Sequence, residues 1–152
     1  MPDWMAETEG MVLRGRIKVP YRWTVGETGS RFFTALRDDK RIWGNKCPEC
    51  KTVYVPPKKT CGKCFVPTDE WVELKDTGEI QNYTIVRKQT NIHPVEVPFA
   101  YANIKLDGAT VGLLHIVKSG DLSKIKKGAR VKAIFKEQRK GDILDIEYFQ
   151  PL

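Results

Sequence analysis

Histidine and serine are scarce in this chain. There are two histidines, His93 and His115, and three serines, Ser30, Ser119 and Ser123. A Ser–His–Asp or Cys–His arrangement needs several such groups to converge, and so thin a supply argues against nucleophilic catalysis. His115 alternates with Leu113 and Val117 and reads as an interior strand histidine. His93 stands alone in a loop. The patterns HExxH, GxxxxGK[ST] and GxGxxG are absent. Acidic residues are many, but no pair is marked out for acid–base work. No apolar run is long enough to span a membrane. The opening residues MPDWMAETEG are acidic and lack the apolar stretch of a signal peptide. A cytoplasmic protein without a membrane partner is expected.

Cysteine is sparse too, and it is concentrated. All four cysteines lie in CPECKTVYVPPKKTCGKC, as the pairs Cys47/Cys50 and Cys61/Cys64. A CxxC turn points two sulfurs at one ion, and a second turn completes a tetrahedron. Two disulfides or a redox dithiol are the other uses of four thiols. Nothing marks a secreted chain, and a thioredoxin-type motif would show one pair beside a βαβ pattern. A structural tetrathiolate site is therefore expected, with Zn²⁺ favoured and iron open. Such a site has no open coordination position and generates no hydroxide. Lys46, Lys51, Lys58, Lys59 and Lys63 lie close in sequence and would offset its charge, or are simply solvated.

The chain has 152 residues, 41% of them hydrophobic and 30% charged, with a formal charge of +7. That is one ordinary domain or two small ones. Between Lys118 and Lys140, nine basic residues face only Asp121 and Glu137, so this segment carries the whole surplus. An anionic partner or a solvated basic face would both account for it.

Three regions are expected: an arm and helix over 1–44, a metal ribbon over 45–74, and a barrel over 75–152. In the arm, Val12-Leu13 and Ile17-Lys18-Val19 read as extended. The aromatic pair in Tyr21-Arg22-Trp23 is expected to pack on its own protein. Thr28 or Ser30 is expected to cap a helix running from Arg31 to Lys40, with Phe32, Phe33 and Leu36 on its apolar side. Arg41 to Lys46 then enters the first cysteine turn as a strand. Thr52 to Val55 and Glu70 to Leu74 are further strands. So small a ribbon cannot build its own core, and the ion must substitute. Cys47→Ser is expected to lose the ribbon and spare the barrel.

From Lys75 five segments alternate: Glu79 to Lys88, Phe99 to Leu106, Thr110 to Val117, Arg130 to Glu137 and Ile143 to Phe149. Asp107-Gly108 is read as a tight hairpin between the second and third. In the fifth, Leu144, Ile146 and Tyr148 are expected inside, with Asp145 and Glu147 outside. Asp121 to Ile125 should make a short helix closed by Gly128. Three strands, a small helix and two strands is the order of an OB-fold. The fold class is thus mainly β: an N-terminal helix, a zinc ribbon and a five-stranded barrel.

The whole pattern resembles the DUF35 family. The matching residues are Tyr21-Arg22-Trp23, Gly29 with Arg31-Phe32 and Leu36, Ile42-Trp43-Gly44, the two cysteine pairs and Val55-Pro56-Pro57. Pro98-Phe99-Ala100-Tyr101 and Phe149-Gln150-Pro151 continue the match. The resemblance implies a rubredoxin-like ribbon and a non-catalytic acyl-CoA-binding scaffold. The implied partner is a thiolase or a hydroxymethylglutaryl-CoA synthase-like enzyme. Coenzyme A would ask for cations and flat rings. Arg31, Phe32, Phe33, Arg41, Lys58 and Lys59, around the helix–ribbon junction, are the candidates. One of the two phenylalanines is expected to be ordinary helix core. The competing class is a single-stranded nucleic-acid module, with Tyr101 and Phe99 as candidate stacking rings on the barrel.

Overall fold

The computed structural model describes residues 22–152. Helix α1 spans Gly26–Asp39. A three-stranded antiparallel sheet follows, in the order β2-β1-β3, from β1 (Ile42–Lys46), β2 (Val53–Tyr54) and β3 (Glu70–Leu74). The remaining strands are β4 (Thr77–Val86), β5 (Phe99–Leu106), β6 (Leu113–Val117), β7 (Arg130–Phe135) and β8 (Ile146–Pro151). They close into a barrel in the order β4-β5-β6-β8-β7. A 3₁₀ turn at Leu122–Lys124 lies between β6 and β7. The expected fold class is the observed one. The readings for residues 1–21, including Tyr21, lie outside the described residues. No helix among those described is long and apolar enough to cross a membrane.

Helix α1 starts earlier than its sequence suggests. Neither Thr28 nor Ser30 caps it. The Thr24 hydroxyl accepts from the Gly26 amide at 3.2 Å, and the first turn is built of Gly26-Glu27-Thr28-Gly29. Two glycines in one turn disguise a helix from propensity. Packing supplies what propensity lacks, since Phe32, Ala35 and Leu36 are buried. Lys40 ends the helix in the left-handed region (φ 56°), and its amide reaches back to the Ala35 carbonyl.

The ribbon and the barrel share one core. Phe32 and Leu36 of the helix, Ile42, Val53, Val55 and Leu74 of the ribbon sheet, and the barrel's Ile80, Ile104, Val131 and Phe149 form a single cluster. Asp107-Gly108 does make a tight turn, closed by the Ala109 amide on the Leu106 carbonyl at 2.9 Å, but β5 and β6 do not pair directly across it. The β5–β6 register pairs Ile104 with Leu113, so a longer excursion intervenes. It crosses to the ribbon, where the Thr110 hydroxyl accepts from the Val53 amide at 3.0 Å and the Thr110 amide donates to the Val53 carbonyl at 3.0 Å. Asp107 itself is held by Arg130 and by the Thr77 hydroxyl at 2.5 Å.

Gly44 shows why the ribbon needs a glycine in β1. A Cβ there would lie 2.7 Å from the Tyr54 carbonyl oxygen, with Leu74 and Val53 methyls at 3.2 and 3.3 Å. Gly44→Ala is expected to cost about 1–3 kcal/mol through this overlap with backbone. A thermal melt of the metal-loaded variant checks it, and an unchanged melting temperature would refute it.

The last segment departs from its expected alternation. Ile143–Asp145 is a 3₁₀ turn, and β8 begins only at Ile146. Asp145, expected outside, is 2% exposed. Its carboxylate accepts from the amides of Lys140, Gly141 and Asp142 at 2.9, 2.7 and 3.1 Å. Asp142 caps the same turn in return, forming a capping box. Of the residues expected to share the inner face with Ile146, Leu144 and Tyr148 are half-buried, and Phe149 is the enclosed ring.

Candidate metal centre and ligand surface

The two cysteine turns have the same backbone design. In the first, the Cys47 amide donates to the Thr52 carbonyl at 2.9 Å and the Lys51 amide to the Cys47 carbonyl at 3.1 Å. In the second, the Cys61 amide donates to Val66 at 2.9 Å and the Phe65 amide to Cys61 at 3.0 Å. Lys51 and Phe65 occupy equivalent positions with positive φ, 59° and 56°. Each turn thus aims two sulfurs at a common point.

All four sulfurs lie within 4.8 Å of one another, and Cys50 and Cys61 are 3.7 Å apart. Zinc–sulfur bonds of about 2.3 Å set a tetrahedral edge of about 3.8 Å. The donor set therefore fits zinc, as expected from the spacing. The thiols also show why a cation is needed. The Tyr54 hydroxyl, followed by the amides of Cys64 and Lys63, holds Cys61 down to about 6. Burial, then the neighbouring sulfurs, pushes Cys64 up to about 12. Four thiolates so close together cannot all be charged without a metal among them.

Residues that sequence reasoning missed brace this site. Asn45, buried in β1, donates through Nδ2 to the Lys58 carbonyl at 2.5 Å and the Thr68 carbonyl at 2.9 Å. Its Oδ1 accepts from the Lys58 amide at 3.0 Å. One amide side chain thus ties the connections on both sides of the second knuckle to the strand entering the first. The Thr52 hydroxyl lies 3.2 Å from Cys50 Sγ. The sequence carries no signal for this role, since nothing in it marks the strand asparagine as buried.

The six candidate ligand residues do not converge on one cavity. Arg31 lies over the Trp71 ring at 4.2 Å and the Trp43 ring at 5.7 Å. Phe32 is 1% exposed and belongs to the core, the member of the pair spent on packing. Phe33 is half-buried and meets Phe32 edge-on at 5.3 Å. Arg41 sits 3.5 Å from Glu73. Lys58 places its ammonium 5.1 Å from the centre of the Tyr54 ring, and Lys59 is exposed.

Phe33 alone of the six lines a cavity of about 510 Å³ between α1 and the β7–β8 connection. Trp23, Val25, Ile143, Arg37 and Lys140 line it too. Trp23 is 70% exposed and is not packed away as expected. The loop wall is fixed by Asp145 and by Arg139, whose Nε donates to the Arg37 carbonyl at 2.6 Å.

The barrel histidine is where its alternation put it. His115 Nε2 lies 3.2 Å from the Ile143 carbonyl, and burial depresses its pKa, so the neutral ring donates there. His93 Nδ1 accepts from the Thr90 amide at 3.3 Å, bracing the loop between β4 and β5. Of the proposed stacking rings, Phe99 is fully enclosed and Tyr101 half-buried. Within the basic segment, Arg130 pairs with Asp107 and Lys132 with Asp76.

Comparison with known proteins matches both halves. Residues 34–70 fit the model of the ChsH2 rubredoxin-like zinc ribbon domain, and residues 71–136 that of the ChsH2 C-terminal OB-fold domain. A DUF35 domain-containing scaffold protein of Methanocaldococcus jannaschii is 30% identical over 129 residues, covering 80% of this chain and 89% of the relative. A DUF35-family protein of unknown function from Sulfolobus solfataricus superposes with a TM-score of 0.61 at 26% identity, over 83% of this chain and 84% of the other. A chain of the Ltp2-ChsH2(DUF35) aldolase superposes with a TM-score of 0.61 at 25% identity, over 86% and 98%. With its cysteine frame, its closed barrel and a relative matched along most of both chains, this protein belongs to the DUF35 family.

Proposed function

We propose that the chain is a non-catalytic scaffold that holds an acyl-CoA thioester beside a thiolase-superfamily enzyme, a thiolase or a hydroxymethylglutaryl-CoA synthase-like partner. The observation that carries this reading is the aromatic and cationic cavity beside α1. Its size falls in the range of ligand sites. Phe33 and Trp23 offer flat rings, and Arg37 and Lys140 offer cations. Arg31, Arg41, Lys58 and Lys59 supply further exposed cations on the helix and ribbon for a ligand as long as coenzyme A. The scaffold name of the archaeal relative and the aldolase assembly of the structural neighbour support an accessory role. An all-sulfur metal site supports it too, since such a site offers substrate no coordination position.

Calorimetry with acetyl-CoA and with a single-stranded oligonucleotide, at two salt concentrations, tests the proposal. It is run on the chain alone and with any enzyme that a pull-down with the chain recovers. Saturable acetyl-CoA binding is expected, weakened by about 1–2 kcal/mol in Phe33→Ala. Tight, steeply salt-dependent oligonucleotide binding without acetyl-CoA binding would replace the proposal with the nucleic-acid reading.

A further inference from the structure

Three hydrogen-bond donors converge on one of the four sulfurs. Cys61 Sγ lies 3.3 Å from the Tyr54 hydroxyl and accepts from the amides of Lys63 and Cys64, each at 3.4 Å. Cys50 is met by Thr52 alone, through its hydroxyl at 3.2 Å and its backbone amide. No comparable donor meets the sulfurs of Cys47 and Cys64 among the described residues. Two of the three donors are amides of the second knuckle itself, and the Tyr54 hydroxyl is the one that comes from outside it.

Tyr54 is placed for the task. It sits at the end of β2, 5% exposed, with its hydroxyl turned to the metal site and its ring covered by the Lys58 ammonium. A metal-bound thiolate carries no proton, so the hydroxyl is the donor. A cation over a phenol ring draws electron density from it and makes the hydroxyl a better donor. Lys58 is itself steadied, because Asn45 grips both its amide and its carbonyl.

We infer that Tyr54 is a positioning residue for the metal centre: its hydroxyl donates to the Cys61 thiolate and withdraws charge from that sulfur, leaving the four thiolates electronically unequal. Cys61 is the anchor of the site and the weakest electron donor of the four. Partners of this kind, one step out from the ligands, tune a metal site measurably.

Cobalt(II) substitution reads the effect directly. In Tyr54→Phe the sulfur-to-cobalt charge-transfer band is expected at longer wavelength than in the wild type, because the Cys61 lone pair rises in energy. The tetrahedral d–d bands stay in place. Zinc should also pass to a competing chelator about 10-fold more readily. Lys58→Met, which keeps the hydroxyl, should move the charge-transfer band the same way by a smaller amount. Weaker zinc binding in Tyr54→Phe with an unmoved charge-transfer band would mean that the ring only packs, and would overturn the inference. Should Tyr54→Phe fail to fold, the ¹¹³Cd-loaded wild type decides. Through-bond coupling from the Tyr54 hydroxyl proton to cadmium supports the inference. Coupling from the Lys63 and Cys64 amides without it overturns it.

Discussion

Removing the metal, by a strong chelator or by Cys47→Ser, is expected to unfold the ribbon and soften the barrel without melting it. The ribbon sheet is short, with β2 only two residues long. Metal binding worth about 10 kcal/mol or more is what holds such modules folded. The barrel closes its own ladder of hydrogen bonds and keeps Ile80, Ile104, Val131, Ile146 and Phe149 among its buried residues. Yet Ile42, Val53, Val55 and Leu74 belong to the same cluster, so their departure exposes one flank of it. A loss of about 1–2 kcal/mol, or roughly 5–10 °C in the barrel's melting temperature, follows. Limited proteolysis should cut between residues 47 and 74 first. A metal-free protein with undiminished protease resistance would contradict the assignment of the four sulfurs.

Asp145→Ala should be the most damaging substitution outside the ribbon. The carboxylate is buried and gathers three backbone amides, so its removal strands donors that have no other partner in the turn. A cost of about 3 kcal/mol is expected, read as a lower urea midpoint. Burial alone would raise the Asp145 pKa, but the amides of Lys140, Asp142 and Gly141, with Lys136 nearby, bring it below the ordinary value. Its stabilisation is therefore complete above the ordinary carboxylate range near 4 and is lost as pH falls through the lower folded value. Asp145→Ala should flatten that part of the acid unfolding curve. An unchanged acid limb would show that the amides find water instead. The same substitution loosens the wall of the α1 cavity, so binding of the proposed acetyl-CoA ligand and stability should fall together.

The parts legible in the sequence are those with a strict period or spacing. Two CxxC pairs admit few arrangements, and β3 and β5 begin and end where their alternation did. The errors share a different cause. Asp145 looked solvent-facing because a period of two was carried through a 3₁₀ turn, where it does not apply. The first turn of α1 was hidden by its two glycines, of which Gly26 enters the helix with a φ of 72°. Asp107-Gly108 makes its turn, but Thr110 and Val111 then bond to Val53 of the ribbon before β6 begins. Asn45 and Tyr54 were invisible as site residues, since their roles depend on chain that returns 13 and 7 residues later. The scatter of the candidate cations has the same origin. Arg31 and Arg41 find their partners on β1 and β3, the Trp43 and Trp71 rings for one and Glu73 for the other, instead of meeting at one cavity.

The contact between Thr110 and Val53 has a consequence for biosynthesis. The residues are 57 apart in the chain. As the polypeptide leaves the ribosome, both knuckles emerge and can capture an ion before Thr110 emerges. The outer edge of β2 then waits, uncovered, for a segment still to be made. Early metal loading would hold that nascent edge in register until its cover arrives. Cells short of the ion should accordingly accumulate aggregated newly made chains while the mature pool persists.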